Sequence, residues 1–128
     1  MRIDKIVARF KDKSLIKGTT NDFSLYKTYF NLNLPGGEEV KVDIEKLKAL
    51  FHVKSFTGNK NYRYTYKDNI SRHGNKVKIE FIDGEVMIGF THFPRYYHYG
   101  FFVTPADLQG NNKRVFVVTS AIKELSFL

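Results

Sequence analysis

Apolar and polar residues alternate along much of this chain with the two-residue period of a strand that buries one face. Val77, Ile79 and Phe81 alternate with Lys78 and Glu80, which predicts a half-buried β-strand. Asp83-Gly84 follows and predicts a tight hairpin turn, because glycine takes positive φ at no steric cost. Val86-Met87-Ile88 begins the return strand, and Gly89 interrupts it, as a bulge or sharp bend requires. Phe101-Phe102-Val103 and Val115-Phe116-Val117-Val118 predict two further strands. Ile122, Leu125 and Phe127 suit a short helical turn and a closing strand. Helical character is confined to Ile44–Leu50, at most two turns, where Leu47 and Leu50 stand three apart and Asp43 is placed as a cap.

The pattern occurs twice. At an offset of 71, Phe10 falls on Phe81, Asp12 on Asp83, Gly18 on Gly89 and Thr20 on Thr91, and Tyr29-Phe30 falls beside Gly100-Phe101. Further on the offset is 75: Val40 falls on Val115, Val42 on Val117, Leu47 on Ile122, Lys48 on Lys123 and Leu50 on Leu125. The four extra residues lie around Leu108-Gln109-Gly110-Asn111-Asn112, a turn composition that lengthens a hairpin tip. The first copy carries Lys13 at the turn position and Pro35-Gly36-Gly37 at its later hairpin. Two ordered blocks that differ by a loop-sized shift indicate duplication.

The expected fold is all-β with minor helical turns. Two five-stranded SH3- or Sm-like small barrels, at residues 1–58 and 77–128, pack as one pseudo-twofold unit, joined by a basic, tyrosine-rich linker strand at 59–76. A unit of roughly 50 residues buries too little surface to stand alone, so the copies either pack side by side or share a sheet.

Composition narrows the chemistry. An apolar fraction of 42% supports a folded core. The absence of cysteine excludes disulfides, thiolate catalysis and cysteine metal sites, and it fits a reducing compartment. Met1-Arg2-Ile3-Asp4-Lys5 has no apolar run behind a basic end, so no signal peptide is expected. No stretch reaches the roughly 18–20 apolar residues of a membrane span. A cytoplasmic protein is the expectation. The net charge of +8 is unevenly placed: residues 1–58 hold 11 Lys and Arg against 7 Asp and Glu, residues 59–76 hold 5 against 1, and residues 77–128 hold 5 of each. A polyanion would meet the linker side.

The run Val77-x-Ile79-x-Phe81-x-Asp83-Gly84-Glu85-x5-Thr91 resembles the first motif of Sm-like proteins. The Arg-Gly element by which Sm proteins contact RNA is absent after Val42 and after Val117, which argues against an Sm-type uridine pocket. Over nearly its whole length the chain resembles a bacterial domain of unknown function that occurs alone and attached to signalling domains such as PilZ modules. The residues that carry this likeness are Lys17–Phe23, Leu47–Lys54, Gly100–Asp107 and Asn111–Val118. The resemblance implies the fold and a signalling context, and no activity.

Two segments carry candidate binding chemistry. In the linker, Tyr62, Tyr64 and Tyr66 share one face of an extended strand, with Arg63 and Lys67 on the other and Lys60 and Arg72 nearby. Interleaved rings and cations suit single-stranded nucleic acid, with stacking for bases and charge for phosphate. The favoured reading is plainer: a strand whose tyrosines pack across the seam between copies. The second segment, Phe93, Arg95, Tyr96, Tyr97, His98 and Tyr99, lies between two strands of the second copy. It either caps an open barrel end or presents a groove to a protein partner. Phe23-Ser24-Leu25-Tyr26-Lys27-Thr28 is its counterpart in the first copy.

Asn69-Ile70-Ser71-Arg72-His73-Gly74 matches the element with which PilZ domains bind cyclic di-GMP. The upstream Arg pair of those domains is replaced by Arg63 and Lys67, and lysine lacks the planar fork that grips phosphate and guanine. His52, His73, His92 and His98 show no metal-ligand spacing, and neither a nucleophile elbow nor a phosphate loop is present. The expectation is a non-enzymatic adaptor that binds a protein partner and needs no cofactor or metal. RNA or single-stranded DNA binding is the alternative, cyclic-dinucleotide binding a minor one, and homo-oligomerisation is open.

Overall fold

The computed structural model describes residues 4–54, 74–92, 99–106 and 112–128. Ten strands run in chain order as β1 (Asp4–Phe10), β2 (Leu15–Thr20), β3 (Tyr29–Asn33), β4 (Glu39–Asp43), β5 (Leu47–Val53), β6 (Asn75–Phe81), β7 (Val86–Thr91), β8 (Gly100–Pro105), β9 (Asn112–Val118) and β10 (Ile122–Phe127). All described pairings are antiparallel, and the strands form one open sheet in the order β10-β6-β7-β8-β9-β5-β1-β2-β3-β4. The two halves of the chain therefore lie in one open sheet and not in two closed barrels. Its first half is ordered β5-β1-β2-β3-β4 and its second β10-β6-β7-β8-β9, the same arrangement five strands on.

The helical stretch expected over Ile44–Leu50 is shorter than two turns. It is a single 3-10 turn at Ile44–Lys46, capped by the Asp43 side chain, which accepts the Glu45 N–H at 3.1 Å. From Leu47 onward the chain is strand because every residue to Val53 is buried. A short helix would bury one stripe only, whereas this segment is covered on both faces.

Local bonds recur between the halves. Phe10 N–H donates to the Ser14 carbonyl and Phe81 N–H to the Glu85 carbonyl, closing the first hairpin of each half. Gly84 takes φ +91 at the second turn, as its sequence predicts, and Lys13 adopts φ 75 at the first. The Thr20 hydroxyl donates to the Asn31 carbonyl at 2.9 Å, and the Thr91 hydroxyl to the Phe102 carbonyl at 3.0 Å. Gly18 and Gly89 sit where the next strand crosses closely. A Cβ on either would lie 2.4 Å from the Asn33 oxygen or 2.5 Å from the Thr104 oxygen, so only glycine permits the bend.

Two cores lie on either side of the β5–β9 seam, and both seam strands feed both. Ala49, Phe51 and Val53 join Val115 and Val117 in the core built on β6 and β8. Leu47 and Leu50 join Phe116 and Val118 in the core built on β1, β3 and β4. A bulge lets Leu47 and Leu50 share a core although Ala49 faces the other: Phe10 pairs Leu47, Arg9 pairs Ala49, and Lys48 is the extra residue.

Candidate functional site

The β5 run Leu47-Lys48-Ala49-Leu50-Phe51-His52-Val53 is apolar except at Lys48 and His52. Both polar side chains lie at the seam, and each belongs to a distinct cluster.

His52 is buried, directly across the β5–β9 register from Arg114. Its ring lies edge-on to Phe102 at 5.7 Å and to Phe23 at 6.2 Å. Phe23 in turn meets Phe30 at 5.5 Å and Phe116 at 5.1 Å, and Phe102 meets Phe116 at 5.4 Å. These edge-to-face contacts are the favoured geometry of aromatic quadrupoles. The Arg114 guanidinium caps the group, 4.2 Å from the Phe102 centroid, where ring face and cation attract. Asp4 Oδ2 stands 3.8 Å from His52 Nδ1. Phe23 comes from the β2–β3 connection, Phe102 from β8, and both are half-buried, so first and second halves meet in one aromatic ledge. Tyr99 and Leu25 pack against the same core.

Lys48 occupies the bulge of β5, which turns its side chain across the seam. Its Nζ donates to Asp83 Oδ2 at 2.8 Å and Glu85 Oε1 at 2.5 Å, and lies 4.7 Å from the Phe81 centroid. The lysine is nearly buried while Asp83 and Glu85 are 25% and 50% exposed, so the acids keep part of their hydration and the pair avoids the full desolvation cost of a buried bridge. The Lys48 hydrogen bond, helped by the Glu85 N–H and opposed by burial, holds the Asp83 carboxyl below its ordinary value. One half thus clamps the hairpin of the other.

The β2–β3 connection is ordered by Asp22. Its carboxylate accepts the Asn31 N–H and side-chain amide at 3.1 Å, and shares with the Asn31 carbonyl the single proton of the Thr20 hydroxyl, 2.9 Å from each. Burial acts to raise the Asp22 pKa, but these donors, with Lys27 adding charge, outweigh it and the carboxyl lies below its ordinary value. The loop so held projects Tyr26 outward, 72% exposed. Nearby Tyr29 carries the Lys41 ammonium 4.3 Å from its centroid.

Of the aromatic segment named from sequence, Phe93, Arg95, Tyr96, Tyr97 and His98 lie outside the described residues. Tyr99 is half-buried against the core built on β1, β3 and β4, and its carbonyl accepts the Thr119 N–H. Lys60, Tyr62, Arg63, Tyr64, Tyr66, Lys67 and Arg72 also lie outside the described residues. The sequence reading missed Phe23, His52, Phe102 and Arg114 as a group, because they come from four separate elements. The available signal was His52, a polar residue inside an otherwise apolar strand. Among the described residues no three His, Asp or Glu side chains gather to hold a metal, and no helix is long and apolar enough to cross a membrane.

Comparison with known proteins gives one match. Residues 2–128 fit the model of a family described as "Family of unknown function (DUF6982)". No curated protein and no solved structure matches.

Proposed function

The chain belongs to that family, and we propose that it is a non-enzymatic adaptor of bacterial signalling that binds a protein partner, built as a duplicated pair of SH3- or Sm-like units. The observation that carries this reading is the aromatic ledge at the seam. Phe23 and Phe102 remain half-buried there, capped by Arg114, and Tyr99 packs on the same core at the end of the 93–98 segment. That segment, with Phe93, Arg95, Tyr96, Tyr97 and His98, continues the ledge in sequence. Rings that cover a fold's own core are usually fully buried, and half-covered rings beside an arginine have the composition of a protein interface.

The test is capture and reconstitution. Tyr97→Ala with Arg95→Ala is expected to weaken binding of a purified, captured partner at least tenfold and to leave the melting temperature within a few degrees. Unchanged affinity would place the partner elsewhere. The uneven charge supports the second reading, nucleic-acid binding along residues 60–72. In that case Arg63→Glu with Lys67→Glu removes binding to single-stranded RNA or DNA, and wild-type affinity falls steeply with salt. Flat titrations with both at low salt reject it.

A further inference from the structure

The seam is a template for an edge that the sheet repeats. At the seam β5 pairs with β9 in the register Ala49↔Val117, Leu50↔Phe116, Phe51↔Val115. β10 stands to the second half as β5 does to the first, and β4 stands to the first half as β9 does to the second. Among the described strands, β10 pairs only with β6 and β4 only with β3, so these two strands are the edges of the sheet. We propose that a second copy of this chain docks head to tail, its β10 on β4 of the first, in the register of the internal seam.

Both parts of the ionic clamp recur at the edges. Lys123 is the bulge residue of β10, since Ile122 pairs Phe81 and Glu124 pairs Glu80; it is 65% exposed, its Nζ 3.6 Å from Glu80 Oε2, an exposed pair that costs little to exchange. Asp12 holds in the first hairpin the turn position that Asp83 holds in the second: Asp12 accepts the Ser14 N–H as Asp83 accepts the Glu85 N–H. Docking in the seam register brings Lys123 of one copy to Asp12 of the next, as Lys48 meets Asp83 within the chain.

The apolar seam positions are repeated only in part: Val40, Val42 and Leu125 stand where Val115, Val117 and Leu50 do. Ala49 and Phe51 are replaced on β10 by Glu124 and Ser126, and Phe116 and Val118 on β4 by Lys41 and Asp43. The edge contact therefore relies more on main-chain hydrogen bonds and charge, is weaker than the seam, and weakens with salt. Each added copy leaves the same two edges, so growth is heterologous and does not stop at two.

Sedimentation of the full chain tests this. At low salt the weight-average mass is expected to rise with concentration past that of a dimer, and to return to the monomer in high salt. Lys123→Glu and Asp12→Lys should each abolish association, and one chain carrying both should restore it. The chain has no cysteine, so Val40→Cys and Ser126→Cys, opposite in the docked register, should crosslink when the two variants are mixed. A monomer at every concentration in low salt overturns the proposal. So does a mass that saturates at the dimer, or a charge-swapped double variant that stays monomeric.

Discussion

Phe116→Ala is expected to lower the free energy of unfolding by about 3–5 kcal/mol, the usual cost of removing a buried aromatic ring and leaving its cavity. The ring is 1% exposed and lies edge-on to Phe23 at 5.1 Å and to Phe102 at 5.4 Å. Its loss opens the first core from a strand that belongs, in chain order, to the second half. Because β5 and β9 each place alternate side chains in both cores, neither half can lose its packing while the other keeps its own. Urea titration followed by far-ultraviolet circular dichroism and by tyrosine fluorescence should give coincident single transitions for wild type and variant. Two resolved transitions, one of them at the wild-type midpoint, would show that the halves are energetically separate.

Lys48→Ala is expected to cost about 2–3 kcal/mol, below the range for breaking a fully buried ion pair because Asp83 and Glu85 can return to water. Lys48→Met, which keeps an unbranched apolar side chain without the charge, should cost about 1 kcal/mol. Lys48→Glu should exceed both, since it sets three carboxylates together. The pH dependence separates charge from packing. Lys48 is the first cause of the lowered Asp83 pKa. A carboxyl depressed on folding contributes stability above its unfolded pKa and loses it as pH falls through the folded one. Wild-type stability should therefore decline below about pH 4, and that decline should be shallower in Lys48→Met. Parallel acid limbs in the two proteins would mean that Lys48 acts through its stem alone.

Much of the fold is legible in the residues. Alternation in Val77–Phe81 marks a strand, Asp83-Gly84 a hairpin, and Gly89 a bend, and each is found there. The offsets of 71 and 75 reappear as strand starts: β1 and β6 begin 71 residues apart, and the two 3-10 turns 75 apart. Leu47–Val53 was harder. Its spacing fits a short helix as well as a strand, because a segment buried on both faces has no polar side to set a period.

The candidate site was less legible. Phe23, His52, Phe102 and Arg114 are scattered over more than 90 residues of sequence, and no local pattern links them. They meet because β5 pairs with β9, a pairing between strands that begin 65 residues apart. Lys48 looks like its counterpart Lys123 in sequence, yet one is buried in a clamp and the other is largely exposed. The difference lies in which strand stands beside each bulge.

The order of residues alone settles the local elements of this protein: where strands alternate and where glycine must turn the chain. Such features depend on neighbours a few residues away, through side-chain period and backbone sterics. Which strand of one half pairs with the other, and so which face of β5 is core and which lysine is clamped, follows only from the joined sheet. Those outcomes depend on long-range pairing, whose free energy comes from surfaces that do not exist until both halves have folded together.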